Sequence, residues 1–138
     1  MAHGEVIYKA VIPLNPATKK NSQRIASRKV YKNGKYEIQH FIIQSERYKE
    51  YENQAGWYLL RKPAQPISEP VNLRVLFYRK NEIVCDQSNL TAAIDDILVK
   101  YRILKDDNFK IIKGHDGTRV YVDRKNPRTE IYIERFIE

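Results

Sequence analysis

The chain has a single cysteine, no long apolar run, and no aspartate before residue 86. One cysteine excludes an internal disulfide and favours a reducing cytoplasm, and no cysteine and histidine stand at zinc-ligand spacing. The roughly 20 consecutive apolar residues of a membrane span are absent, and the first residues lack the pattern of a secretory signal. We therefore expect a cytoplasmic protein that does not enter a membrane.

The apolar content that is present suits one folded domain. Hydrophobic residues occupy 42% of the 138 positions, and ten residues are tyrosines. This length and composition predict a single domain over residues 1–138.

Basic residues are concentrated in the first part of the chain. Residues 1–80 contain 15 Lys and Arg against 6 Glu, and no acid falls between Glu5 and Glu37, whereas residues 81–138 contain 10 against 11 acids. This concentration favours a polyanionic partner such as nucleic acid over a merely solvated surface. The cations expected to position phosphates lie in a basic loop and hairpin over residues 15–40: Lys19, Lys20, Arg24, Lys32 and Lys35.

Periodicity predicts the elements of the first half of the chain. Residues 5–12 alternate as a strand, and residues 17–29 show no clean period and are expected to form a loop. Asn33-Gly34 between two alternating runs predicts a hairpin, because a type I′ turn needs two residues at positive φ. Ser45 is a suitable cap for a helix over residues 46–62, with Trp57 in the core.

The second half of the chain has the pattern of a strand, a helix and further strands. Residues 71–79 alternate as a strand, and residues 89–101 carry the apolar spacing of a half-buried helix with Ser88 as its N-cap. Residues 109–123 predict two strands around an Asp116-Gly117 turn, followed by a last strand, so that the chain would end as a β-meander. The whole pattern predicts an α+β domain with two main helices packed on one mixed sheet.

Five of the seven aspartates fall in an acidic segment over residues 85–108. Those before and after the predicted helix can meet only if residues 102–107 double back along it. Converging carboxylates repel one another unless a cation neutralises them, and magnesium prefers oxygen ligands and supports phosphodiester hydrolysis. The acidic segment and the basic region together have the composition that a metal-dependent nuclease needs.

Several of these residues also have an ordinary structural interpretation. Asp95 would be a solvated helix residue, residues 106–108 a simple turn, and Asp86 an acid favoured by the helix dipole. Cys85 would be a half-buried cysteine rather than a nucleophile, and His115 a turn residue rather than a phosphate contact.

The acidic segment resembles the core of the RusA-type Holliday-junction resolvase family. That family's motif runs Asp-x-Asp-Asn-Leu-x-Lys, with an Asp-Asp pair about one helix further on. Here the ungapped match extends from Asp86 through Ser88-Asn89-Leu90 and Asp96 to "ILKDDN". The strand before the segment and "IPLNPATKKNS" fit the same architecture more loosely.

This resemblance implies a homodimer that binds four-way DNA junctions in recombination and repair and cuts them symmetrically with Mg²⁺, for which Mn²⁺ can substitute. It implies no organic cofactor. Asp86 and Asp107 would be the catalytic metal ligands, helped by Asp106 and Ser88. Asn89 and Asp96 would support the site.

Two positions depart from the family's motif. Ser88 stands where the second Asp would be, and Ala92 stands where the Lys would be. One alternative is a site rebuilt with Asp106, Asp96 or Glu82 as acid and Lys80, Lys100 or Lys105 as cation. A second is a structure-selective DNA-binding protein of the same fold that no longer cuts. A third, from another class, is a basic protein-interaction module with a coincidental acidic turn.

Overall fold

The computed structural model describes residues 4–19, 23–44 and 46–138, and at residues 23–26 and 41–44 it describes the backbone alone. The elements follow the order β1 Val6–Ile12, β2 Gln23–Lys32, β3 Lys35–Gln44, α1 Glu46–Ala55, a 3-10 turn Gly56–Tyr58, β4 Val71–Arg79, α2 Gln87–Lys100, β5 Ile112–Gly114, β6 Arg119–Val122 and β7 Arg128–Arg135.

Five of the strands form one mixed sheet. The order is β1-β7-β4-β5, and β6 also pairs with β4. β7 is antiparallel to both β1 and β4, whereas β5 and β6 are parallel to β4, which they follow after the crossover through α2. The expected α+β class, with a mixed sheet and two helices, is confirmed.

The predicted meander is wrong, because β5 and β6 do not pair with each other. Both lie along the same side of β4 and form one edge strand interrupted by the turn at Asp116-Gly117. Side chains replace the missing ladder bonds. Asn72 donates its amide to the carbonyl of Asp116 at 3.0 Å and accepts the amide of Asp116 at 2.9 Å, and the Thr118 hydroxyl accepts the amide of Val75 at 3.1 Å. The turn therefore interrupts the strand without reversing it.

The core lies between the sheet and the helices. Val71, Leu73, Val75 and Phe77 of β4 are buried, as the alternation predicts, and face the apolar stripe of α2. That stripe consists of Leu90, Ala93, Ile94, Ile97 and Leu98, all buried. No helix among the described residues is long and apolar enough to cross a bilayer.

The first helix is shorter than the sequence predicts. It ends at Ala55, and the 3-10 turn that follows rotates Trp57 outward, so that this side chain is 72% exposed rather than in the core. Gly56 permits the close approach of Tyr101 at the end of α2, because a Cβ there would lie 2.5 Å from the ring. Ser45, the predicted cap, lies outside the described residues.

The predicted hairpin is confirmed and is longer than expected. Asn33 and Gly34 take φ of 53° and 78°, as a type I′ turn requires. β2 begins at Gln23, so the segment 17–29 is not wholly a loop, because its residues from 23 onward pair with β3. β2 and β3 form a separate two-stranded sheet, about 34 Å long for ten residues a strand. From Ser27 to His40 the side chains are exposed or half-buried.

Candidate active site and nucleic-acid interface

Asp86 is the N-cap of α2, a position that the sequence assigned to Ser88. Its backbone is extended, with φ −76° and ψ 132°, and its carbonyl accepts the amide of Asn89 at 3.1 Å. The carboxylate makes no capping hydrogen bond, although Asp commonly caps through its side chain. Asp86 is exposed, so its carboxylate faces solvent at the positive end of the helix dipole. Ser88 lies in the first turn of α2.

The chain reverses direction directly after α2, as convergence of the acids requires. Arg102 adopts a left-handed φ of 64°, and the amides of Ile103 and Leu104 both donate to the carbonyl of Leu98, at 2.9 and 3.2 Å. This reversal returns the chain alongside the last turns of the helix. It brings Asp107 into the electrostatic neighbourhood of Asp96.

Asp106 and Asp107 have carboxyls with opposite environments. The Asp106 carboxylate accepts the amide of Asp107 at 2.7 Å and the side-chain amide of Asn108 at 3.0 Å, and these bonds lower its pKa. Asp107 is exposed overall, but partial desolvation of its carboxyl, together with its neighbours Asp106 and Asp96, raises its pKa. A carboxyl destabilised by nearby acids is one that a cation would stabilise.

Lys19 reaches this cluster from the loop that follows β1. Its ammonium lies 2.8 Å from a carboxylate oxygen of Asp96, and both side chains are partly exposed. The pair joins the basic region to the acidic segment across 77 residues of sequence. One of the predicted phosphate-binding cations is therefore placed beside a predicted supporting acid.

The remaining predicted acids are not gathered at one point. Among the described residues, no three carboxylate, His or Cys side chains lie close enough together to hold a metal ion. Asp86 and Asp96 are ten residues apart on α2, which corresponds to about 15 Å along the axis. Magnesium commonly takes one or two carboxylates and completes its shell with water and substrate phosphate. Asp107 with one neighbouring carboxylate fits that requirement.

Asp95 is not the solvated helix residue that the sequence predicts. Its carboxylate lies 3.0 and 3.1 Å from Nε2 of His115, and its side chain is only 16% exposed. This hydrogen bond raises the pKa of His115, and burial opposes the effect. The pair attaches α2 to the turn between β5 and β6, so both residues have a structural role that sequence spacing did not indicate.

A cationic groove lies beside the N-terminus of α2. The groove is a cavity of about 470 Å³, and Arg47, Arg79 and Lys80 line it without any acid. Cys85, which is half-buried as expected, and Leu90 also line it. Sequence patterns do not single out Arg47 or Arg79. One feature of the sequence could have pointed to Arg47: it is a cation in the first turn of a helix, where the helix dipole disfavours positive charge.

Some of the other substitutes considered for the missing motif residues are engaged elsewhere. The ammonium of Lys100 lies 2.6 Å from a carboxylate oxygen of Glu52 in α1. Glu82 pairs with Arg124 at 3.7 Å on the exposed surface. Lys80, whose backbone amide donates to Asn15 at 3.0 Å, remains the cation nearest in sequence to Asp86.

The hairpin carries the other predicted phosphate-binding residues. Lys32 and Lys35 face each other across the turn and are exposed. Tyr31 and Tyr36 pack edge to face, with ring centroids 5.0 Å apart, as cross-strand partners. Arg24 belongs to β2, but its side chain is not described, and Lys20 lies outside the described residues.

Comparison with known proteins identifies the family. The sequence pattern of the family described as endodeoxyribonuclease RusA matches residues 13–134 of the 138. A search of curated proteins gives no significant match. The matched region contains the groove, α2 and the Asp106-Asp107 turn. The chain therefore belongs to the RusA endodeoxyribonuclease family.

Proposed function

We propose that this protein is a magnesium-dependent endonuclease that binds and resolves four-way DNA junctions in recombination and repair, acting as a homodimer. The observation that carries the proposal is the reversal of the chain after the motif helix, which returns Asp107 towards Asp96; there, partial desolvation and the neighbouring acids raise the pKa of its carboxyl. The family match over residues 13–134 gives the nuclease class.

The proposed metal ligands are Asp86 and Asp107, with help from Ser88 beside Asp86 at the start of α2 and from Asp106 beside Asp107 after its end. The carboxylate of Asp86 is exposed and makes no capping hydrogen bond, so it is available to a cation. The carboxyl of Asp107 is also available, and partial desolvation and neighbouring acids raise its pKa. A bound magnesium ion supplies activation of water and stabilisation of the leaving oxygen. Asn89 and Asp96 support the site, and Lys19 holds Asp96 at 2.8 Å.

The proposed DNA contacts are the cationic groove and the hairpin. Arg47, Arg79 and Lys80 would bind backbone phosphates next to Asp86, where they compensate for the alanine at position 92. Lys32 and Lys35 would extend the contact along a duplex arm, together with Lys19, Lys20 and Arg24.

A cleavage assay tests this proposal. A labelled four-way junction and a matched linear duplex are incubated with Mg²⁺, Mn²⁺ or EDTA. We expect paired nicks in opposite arms of the junction only when the metal is present. Asp86→Asn and Asp107→Asn should lower the cleavage rate by at least about 100-fold, since even groups that only support metal ligands cost about 10–100-fold. Glu50→Gln, at an exposed carboxylate bonded to Gln54 of its own helix, is the matched control.

The results separate the proposed roles from one another. Retained cutting by Asp86→Asn would exclude that residue as a ligand. Loss of cutting in the Glu50→Gln control would show that general charge, rather than the acidic segment, governs activity.

A second candidate function is structure-selective DNA binding without cleavage. Ser88 and Ala92, which replace an acid and a cation of the motif, favour it. It predicts tight binding of the four-way junction with intact strands in every metal. A failure to prefer the junction over linear duplex would contradict both candidates.

A further inference from the structure

A second cationic pocket lies at the edge of the sheet that β1 forms. It has a volume of about 530 Å³ and is formed by the start of β1, the segment after the 3-10 turn, and the neighbouring strands β4 and β7. The residues that line it are Val6, Ile7, Tyr8, Lys9, Arg61, Lys62, Pro63, Arg74 and Tyr132.

The lining includes four cations and no carboxylate. The ion pairs of the described residues include one for Arg74, to Glu134 at 3.3 Å, but none that joins Lys9, Arg61 or Lys62 to an acid. All three are exposed at the pocket. Like charges that converge from separate segments repel one another, and an anion bound between them would relieve that repulsion.

The pocket is held in place by contacts within the fold. The hydroxyl of Tyr8 donates to the carbonyl of Arg61 at 2.8 Å, which fixes the segment after the 3-10 turn against β1. Lys9 and Arg74 both align with Tyr132 in the sheet register, and the guanidinium of Arg74 lies 4.2 Å from the centroid of that ring. Lys9 and Arg74 are therefore presented on a rigid sheet rather than on a free loop.

The register places Lys9 and Arg74 on a different face of the sheet from the one that carries the candidate active site. Lys9, Tyr132 and Arg74 alternate with the buried residues of their strands, so they lie on the face that the helices do not cover. Asp86 begins α2, which packs against the other, buried face of β4. A straight duplex lying along α2 would not reach this face, whereas an arm leaving a branch point in another direction can.

We propose that this pocket binds backbone phosphates of a second duplex arm of branched DNA. The inference rests on the proposed function, and it adds a contact that discriminates branched from linear DNA. Lys9, Arg61 and Lys62 would bind the phosphodiester. Arg74 would assist them, and its guanidinium is positioned by Tyr132 and Glu134.

The test is a triple variant, Lys9→Ala/Arg61→Ala/Lys62→Ala. The Tyr8 hydrogen bond goes to the backbone of Arg61, so the substitution leaves it intact. The matched control is Lys110→Ala/Lys113→Ala/Lys125→Ala, which removes the same charge from three other exposed lysines. Affinities for a four-way junction and a linear duplex are measured over a range of salt concentrations, without a metal that supports cutting.

We expect the pocket variant to bind the junction at least about tenfold more weakly than the wild type. The slope of log affinity against log salt concentration should be smaller in magnitude by about one for each phosphate that the variant no longer binds. Its affinity for linear duplex should match that of the control variant. Equal losses for junction and duplex, or no loss beyond the control, would overturn the inference. Competition by a mononucleotide at concentrations similar to those of the DNA would instead identify free nucleotide as the ligand, which also overturns it.

The two proposals fail in different ways. If the wild-type protein binds the junction no better than the duplex, the proposed function fails. If wild type discriminates and the pocket variant does so equally well, only the second-arm site fails.

Discussion

Asp106 and Asp107 show how two adjacent carboxyls acquire different properties. Asp106 faces donors, the amide of Asp107 and the side chain of Asn108, and its charge is stabilised. Asp107 faces other acids and is partly desolvated, so its charge is destabilised. The two should therefore respond in opposite directions to neutralisation.

We expect Asp107→Asn to stabilise the metal-free protein at neutral pH. The raised pKa of Asp107 means that its ionised form costs folding free energy above that pKa, and the cost vanishes below the unfolded value near 3.8. Because the residue is exposed, the gain should be about 0.5 kcal/mol or less. Urea unfolding in EDTA at neutral and acidic pH measures it.

Asp106→Asn is the matched control and should change stability in the opposite direction. The lowered pKa of Asp106 contributes stability above its unfolded value, and this contribution is lost as pH falls through the folded pKa. The variant should therefore be less stable than wild type at neutral pH. Equal responses of the two variants would contradict the assigned environments.

At the scale of elements, α2 organises the candidate site and the fold together. Its apolar stripe packs on the sheet, Lys100 and Tyr101 contact Glu52 of α1, and Asp95 contacts His115 of the β5–β6 turn. The helix can hold the acids at its two ends in fixed positions because these contacts hold it on both sides.

The packing between the end of α1 and the end of α2 should be sensitive to one methyl group. Gly56→Ala would place a Cβ 2.5 Å from Tyr101, so we expect a loss of about 1–3 kcal/mol as the ring is displaced. Gly114→Ala is the control, because the nearest atom there lies at 3.4 Å. Denaturant unfolding of the wild type and the two variants measures the loss of unfolding free energy. Similar losses for Gly56→Ala and Gly114→Ala would contradict the close packing at Gly56.

At the scale of the whole molecule, cationic surfaces lie on more than one side of the fold. One groove lies beside Asp86, another pocket lies at the β1 edge of the sheet, and the hairpin presents Lys32 and Lys35. A substrate with several diverging arms matches this distribution better than a single straight duplex does.

We expect the protein to be a homodimer in solution. A four-way junction has two equivalent strands to cut, and two-fold symmetry presents one candidate site to each. Light scattering coupled to gel filtration should give twice the chain mass of 16.4 kDa over a range of concentrations. A monomer that still makes paired nicks would contradict the requirement for two subunits.

The sequence predicted elements whose signals are local. The alternation of β4, the apolar stripe of α2 and the Asn33-Gly34 turn each depend on residues a few positions apart, and each is confirmed. It did not predict the end of α1 before Trp57, where Gly56 packs against the distant Tyr101, and it placed the N-cap of α2 at Ser88 rather than Asp86.

The sequence by itself determined the fold class, the acidic segment with its flanking helix, and the basic region that precedes it. Only the tertiary structure decided that β5 and β6 both run parallel to β4. Asn72 and Thr118 complete that ladder with partners that lie 44 and 43 residues away along the chain.

Tertiary structure also decided that Lys19 meets Asp96, that Asp95 binds His115, and that Asp107 approaches Asp96. These pairings depend on where the chain returns in space, which residue spacing along the sequence does not specify.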